Sequence, residues 1–202
     1  PIGDPAGDVV LGPLLDARFA ARFDEYRSWI APHHTVSGSS AVGPITADAP
    51  RTGFTGSPDD GLYYHPTIVA DVVETDRIFL HETFGPLVGV LPYDHLDDAI
   101  RLANLPGYGL SSAIYTTDPA DVFTFRRRVS AGMVSVNNST SGAEAHLPFG
   151  GNGKSGNGSR QSGRWVLDQF TRWQSMNWDH SGRLQKAQMD VADLTADVTF
   201  RL

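Results

Sequence analysis

The sequence predicts an α/β fold built on a parallel sheet. Three short strand-like runs stand at residues 87–93 (LVGVLPY), 111–117 (SSAIYTT) and 132–137 (GMVSVN). Two segments of helical periodicity separate them, each with its own start signal. Neither connection is short enough for a hairpin, so the strands run parallel through right-handed crossovers, as two consecutive βαβ units. Ligands bind such sheets beyond the carboxyl ends of the strands. The third run ends at Asn137-Asn138, so the loop at 139–163 is where a site is expected.

Along the chain, residues 1–14 read as a connector. A helix is expected over 15–30, because Phe19, Phe23, Tyr26 and Ile30 recur at steps of four, three and four and make one apolar face; Pro32 ends it. Residues 37–61 are rich in Gly, Ser, Pro, Thr and Asp and read as a long surface loop. TIVADVV at 67–73 reads as a strand. Asp94 is the expected cap of a helix to about residue 104, with Leu96, Ile100 and Ala103 inward and Pro106-Gly107 stopping it. Asp118 caps the next helix, with Pro119 at its first position and Val122, Phe125 and Val129 on one face. TRWQSMNW at 171–178 alternates enough for a strand, while the tail at 184–202 fits no element.

Composition narrows the function. The 202 residues are 40% hydrophobic, enough for one sizeable core, and carry a net charge of −7. An acidic chain is repelled by phosphate backbones, which argues against nucleic acid as a partner. The one dense basic cluster, Arg126-Arg127-Arg128, reads as a solvated helix face. No apolar run approaches the ~20 residues of a membrane span, and the first residues lack the pattern of a signal peptide, so a cytoplasmic location is expected. The count of zero cysteines excludes disulfides, thiolate metal sites and a cysteine nucleophile within the chain. A first residue of Pro points to a chain cut from something longer or trimmed at its start.

Several motifs invite a reading that their context denies. Gly151, Gly153 and Gly156 match G-x-G-x-x-G, yet Pro148-Phe149 precedes them in place of a strand and more glycine follows in place of a helix. Gly153-Lys154-Ser155 resembles the end of a P-loop, but the first glycine of that motif falls on Pro148. Tight turns and close backbone approach explain these glycines better. His33-His34 have no partner at metal-ligand spacing and read as a polar helix end, and no metal is expected. Asp97 and Asp98 lie on a helix surface, which leaves paired-carboxylate catalysis without support.

The remaining motifs stand in one order: GDP at 3–5, GP at 12–13, HPT at 65–67, ETFGP at 82–86, LANLPGYGLSSAIYTTD at 102–118, AGMVSVNN at 131–138 and PFGGNGKSGNGSR at 148–160. Over residues 1–178 the chain resembles the aldehyde dehydrogenase superfamily. The resemblance implies the later half of a catalytic domain at 1–170, then an oligomerisation strand and tail at 171–202, with homo-oligomers as the partner state. It implies oxidation of an aldehyde to a carboxylic acid with NAD or NADP as cofactor. In that chemistry a cysteine thiolate attacks the aldehyde, hydride passes to the dinucleotide, and a glutamate activates water against the thioester. The cysteine, that glutamate and the dinucleotide domain precede the matched region in the family, so this chain is expected to start a few tens of residues after the cysteine and to be inactive alone.

The resemblance also assigns roles. Glu82 matches the carboxylate that binds the nicotinamide ribose hydroxyls, Phe84 the aromatic beside the nicotinamide, and Phe149 a residue lining the aldehyde tunnel. Arg22 matches, less closely, a basic residue near the ribose. Ser141-Gly142-Ala143-Glu144 resembles the anchor loop of members that oxidise amino-acid semialdehydes, where the N–H groups of Gly142 and Ala143 would hold the substrate carboxylate. A basic partner for that carboxylate is expected outside the chain. Glu82 and Phe84 are expected to share a cleft with the loop at 139–150. Two other readings are a non-catalytic truncated subunit or scaffold, which the absence of cysteine favours for the isolated chain but not over an enzyme of which this chain is one part, and a free-standing nucleotide-binding module, for which tight binding of neither NAD nor ATP is expected.

Overall fold

The computed structural model describes residues 1–37, 42–182 and 199. Its elements in order are β1 (Ile2–Gly3), α1 (Ala17–Arg27), β2 (Thr35–Ser37), β3 (Phe54–Thr55), β4 (Thr67–Ala70), α2 (Arg77–Leu80), β5 (Leu87–Gly89), α3 (Leu96–Asn104), β6 (Tyr108–Gly109), β7 (Ser111–Ile114), α4 (Pro119–Arg128), β8 (Met133–Val136), β9 (Asn152–Gly153) and α5 (Leu167–Phe170). The α/β class with parallel strands is as expected: β4 pairs with β5 and β7 with β8, both in parallel.

The two βαβ units are not equally complete. β7, α4 and β8 form a closed one. β5 and β7 share no ladder; β5 belongs to a sheet ordered β2-β4-β5, and β7 pairs with β8. Val88, Val90 and Val136 stay exposed on or beside these strands, although parallel sheets normally bury both faces. The run of apolar residues tells a reader that strands exist, and says nothing about which strands become neighbours.

The main core lies under α1. Ala20, Phe23 and Tyr26 meet Tyr64, Val69, Val72, Ile78 and Leu87. Asp16 begins α1 by accepting the N–H groups of Arg18 and Phe19, which supplies partners for two of the first-turn donors a helix leaves unpaired. Tyr26 donates its hydroxyl to the Ile78 carbonyl and so ties α1 to α2. Burial, with a smaller contribution from Tyr108, pushes the Tyr26 phenol up to about 12. Tyr64 is likewise pushed up to about 12, by burial first and then by its bond to Asp24.

Four local expectations need correction. The stretch at 1–14 and the loop at 37–61 are less irregular than their composition suggests, because β1 pairs in parallel with β3 and Ile2, Ile45 and Tyr63 form a small second core. Single apolar residues scattered among polar ones carry no periodicity to read. The strand at 67–73 stops at Ala70, since Asp71 turns out of it with φ of 60°. The N-cap of α3 is His95, with no side-chain bond, in place of Asp94; Ile100 is buried, but Ala103 is exposed. Residues 171–178 form no strand within the chain, and Trp173, Met176 and Trp178 are exposed there; alternation alone forms no strand without a ladder partner. The tail at 184–202 lies outside the described residues except for residue 199. No helix among the described residues is long and apolar enough to cross a membrane.

α4 matches its expectation. Asp118 accepts the N–H of Ala120, Pro119 opens the helix and Phe125 is its buried residue. Asp97 pairs with Arg128 and Asp98 with Arg101, on the exposed side of α3.

Candidate functional site

β8 delivers the chain to the site. At its end Asn137 takes up a left-handed φ of 51°. Its side-chain Oδ1 accepts the N–H of Thr116 at 2.9 Å and its Nδ2 donates to the Thr116 carbonyl at 3.0 Å. The loop beyond is organised by its own serines: Ser141 N–H donates to Ser139 Oγ at 2.9 Å, and the Ser139 and Ser141 hydroxyls bond at 2.5 Å.

The far side of the loop is pinned to the glycine-rich segment. Phe149 and Gln161 exchange two backbone bonds of 2.6 Å, and Gly163 N–H donates to the Ala145 carbonyl. β9 pairs antiparallel with β6. Lys154 Nζ donates to the Pro106 carbonyl at 2.8 Å and sits over the Tyr108 ring, while Ser155 Oγ accepts the N–H of Gly109. The residues that resemble nucleotide motifs therefore bind the chain's own 106–109 turn. Gly153 has a φ of 57°, and a Cβ on Gly156 would stand 2.7 Å from the Gly151 carbonyl oxygen. Turn geometry and close approach account for both.

Between loop and strand lies a cavity of about 690 Å³, whose walls include Gly142, Ala143, Phe149, Met133, Arg126 and Glu144. That size suits a small-molecule ligand. The three expected substrate-contacting residues, Gly142, Ala143 and Phe149, thus come together. Among the described residues, the N–H groups of Gly142 and Ala143 donate to no other protein group, and Gly142 has a φ of 91°. A cation from within the chain, Arg126 in the last turn of α4, also lines this cavity. Glu144 brings an opposite charge to the same space.

Glu82 and Phe84 lie elsewhere. They sit in the turn between α2 and β5, and neither lines the cavity at the loop. The expected shared cleft is therefore not formed by this chain, since the strands that carry the two groups, β5 and β8, belong to separate ladders. Phe84 is 62% exposed with a φ of 51°, a conformation that bulky side chains seldom adopt. Its ring meets that of Phe19 at 6.5 Å between centroids, and Phe19, Arg18 and Arg22 line a second cavity of about 260 Å³. Thr83 Oγ1, between the two residues, is buried with no partner. The turn thus presents an exposed carboxylate at Glu82 and an exposed ring at Phe84, with the partly buried Phe19 ring beside it. The Phe19 contact with Phe84 has no sequence signal beyond the place of Phe19 on the apolar face of α1, one turn before Phe23.

His33 and His34 also need correction. Both bond Asp76, through Nε2 at 3.1 and 2.9 Å, and the three ligand-type atoms lie within 4.8 Å of one another. The partner sits over forty residues away, where no spacing rule could find it. The His34 side chain is fully buried, and its Nδ1 accepts the N–H of Ala31 at 2.9 Å. A neutral imidazole that accepts at Nδ1 carries its proton on Nε2. His34 Nε2 is therefore a donor to Asp76 and has no lone pair for a metal. Burial alone would raise the Asp76 carboxyl, but the Val73 N–H and the two histidines outweigh it and hold it down to about 2. The trio is a clasp between the segment leading into β2 and the start of α2.

Comparison with known proteins agrees with this architecture. The model of the aldehyde dehydrogenase family matches residues 1–176. A benzaldehyde dehydrogenase [NAD(+)] of Pseudomonas putida is 33% identical over 87% of the chain and 33% of its own length. An N-succinylglutamate 5-semialdehyde dehydrogenase of Burkholderia cenocepacia is 35% identical over 78% of the chain and 29% of its own length. The crystal structure of an NAD-dependent aldehyde dehydrogenase from Sinorhizobium meliloti superimposes with a TM-score of 0.72 at 28% identity, covering 85% of the chain and 31% of that protein. The chain spans about a third of the length of these relatives. With a family match across most of its residues, the chain belongs to the aldehyde dehydrogenase family.

Proposed function

We propose that the chain is the C-terminal part of a cytoplasmic enzyme that oxidises a carboxylate-bearing semialdehyde to an acid with NAD or NADP. The observation that carries this reading is the loop cavity, where two unbonded N–H groups, at Gly142 and Ala143, stand beside Phe149 and the Arg126 cation. Successive N–H groups and a guanidinium suit a carboxylate. Phe149 lines the aldehyde's approach. At the other site Glu82 accepts the ribose hydroxyls and Phe84 packs against the nicotinamide. NAD(P), when bound, supplies the hydride acceptor.

The nucleophile comes from polypeptide beyond this sequence, since the chain has no cysteine. That polypeptide covers the exposed valines of β5 and β8 and joins the two half-sites. The chain alone is inactive. Residues 171–178 find their strand partner in a second copy, within a homo-oligomer. Exposed Trp173, Met176 and Trp178 support that partner. A non-catalytic subunit or scaffold would also lack cysteine, and turnover separates the two readings.

The test is NAD(P)H formation by the assembled enzyme with a semialdehyde and with a length-matched aldehyde that lacks the carboxylate. The semialdehyde is expected to have the higher kcat/KM by about tenfold or more, the worth of one charge-assisted contact. Ala143→Pro, which deletes one N–H, is expected to raise KM for the semialdehyde only. Equal kcat/KM for the two aldehydes sinks the carboxylate reading, and no turnover of either aldehyde sinks the enzyme reading.

A further inference from the structure

Phe84 is an exposed, bulky residue held in a left-handed conformation. Such a conformation persists only where its surroundings over-determine it. The surroundings here are on α1. Phe23, 1% exposed, lies directly beneath Gly85. A Cβ on Gly85 would stand 2.5 Å from Phe23 Cε2 and 3.0 Å from Cγ, and closer still to Cδ2. Only a glycine lets the turn ride this low on the ring. Phe23 is itself fixed by an edge-to-face contact with Tyr64 at 4.9 Å. Downstream, Leu87 N–H donates to the Gly85 carbonyl at 2.8 Å and Thr67 N–H to the Pro86 carbonyl at 2.9 Å. One helical turn before Phe23, Phe19 meets the exposed Phe84 ring, with Arg22 beside it.

We propose that Phe23, acting through Gly85, is a positioning residue that presents Phe84 to the nicotinamide, and that Phe19 is a second aromatic wall of the same seat. This rests on the reading of Glu82 and Phe84 as cofactor contacts. The chemistry is that of a flat, electron-poor ring. Phe84 and Phe19 would offer it aromatic faces, with the Arg22 guanidinium beside Phe19. Glu82, two residues before Phe84, is carried by the same turn, so the ring and the ribose acceptor move together.

The experiment measures kcat and the separate KM values for NAD+ and aldehyde in the assembled enzyme. Gly85→Ala is expected to raise KM for NAD+ about tenfold with aldehyde KM unchanged, and Phe19→Ala about threefold, as losses of ground-state cofactor binding. Adding Phe23→Leu to Gly85→Ala is expected to recover at least about threefold, because the ring edge that meets the new methyl is gone. A merely structural role would lower thermal stability and active fraction without this selective change and without recovery. If Gly85→Ala does not fold, Phe23→Leu alone still decides: it withdraws support from Gly85 and is expected to raise KM for NAD+ about threefold at unchanged aldehyde KM. Glu82→Gln and Phe84→Ala are run alongside. If these two leave KM for NAD+ unchanged, the cofactor reading has failed. If they raise it while Gly85→Ala, Phe19→Ala and Phe23→Leu do not, the positioning proposal alone is overturned.

Discussion

Gly132 opens β8 and meets the segment that carries Phe149. A methyl placed there would stand 3.0 Å from the carbonyl carbon of Gly150 and 2.9 Å from Arg160 Nη2, with the Gly150 oxygen closer again. The Gly150 oxygen is the nearest obstacle, and clearing it to ordinary van der Waals contact makes the 148–151 segment retreat by more than about 1 Å. It cannot do so freely. The two backbone bonds of 2.6 Å between Phe149 and Gln161 hold one side, and Arg160 Nη2 donates to Asn152 Oδ1 at 2.8 Å on the other. Overpacking costs ~1–3 kcal/mol, and a backbone obstacle puts Gly132→Ala near the top of that range, about 3 kcal/mol. For a chain of this size that is a fall in Tm of roughly 6–12 °C. Gly142→Ala is the control. No atom lies within 4 Å of a Cβ there, so it meets only the strain of a φ of 91°, about 1 kcal/mol. Denaturant unfolding of the purified chain reads both. If Gly132→Ala costs no more than Gly142→Ala, the close approach of the two segments is wrong.

Three further outcomes are expected. Phe84→Gly removes an exposed ring and about 1–2 kcal/mol of left-handed strain; after the entropy that glycine returns to the unfolded chain, it is expected to be about 1 kcal/mol more stable, while the assembled enzyme loses NAD+ affinity, read by melting and by calorimetry. Asp76→Ala leaves the buried Nε2–H of His34 without an acceptor and is expected to cost about 1–3 kcal/mol near neutral pH. Because the Asp76 carboxyl is held down to about 2 in the fold, its stabilisation is full above the unfolded value of roughly 4 and fades as pH falls toward 2; unfolding midpoints of wild type and Asp76→Ala should converge across that window. Tyr26 and Tyr64 are both pushed up to about 12, so the fold favours their neutral forms. That contribution is intact below the unfolded phenol value of ~10 and lost as pH rises through 12. Ultraviolet titration of phenolate should show Tyr26 and Tyr64 ionising late, with Tyr63 also raised by burial.

What the sequence disclosed follows the range of the interactions. Asp118-Pro119 announced α4, and the spacing of Phe19, Phe23 and Tyr26 announced α1, because capping and periodicity are written within a few residues. The His33-His34 pair looked partnerless because Asp76 lies in another element. Ala103 was misplaced since the inward face of a nine-residue helix is set by what packs on it, here chiefly at Ile100. The candidate loop was legible at Gly142-Ala143, whereas the cation that lines the same cavity was not: Arg126 sits in a run of three arginines that gives no sign which one faces it. Glu82 and Phe84 were legible as a motif, but Phe19 became part of that site only through a ring contact between α1 and the β5 turn.

The side chain of Asn137 behaves as a detached peptide unit. Its amide gives Thr116 both a donor and an acceptor, adding one more rung to the β7–β8 ladder after the main chain has turned away. The sheet is thus sealed at its end by a group that belongs to no strand. The short stretch at 139–144, whose printed bonds are local, can change composition without unzipping the β7–β8 ladder. Variation in that loop is mechanically uncoupled from the β7–β8 ladder, and a single amide is the point at which the two are separated.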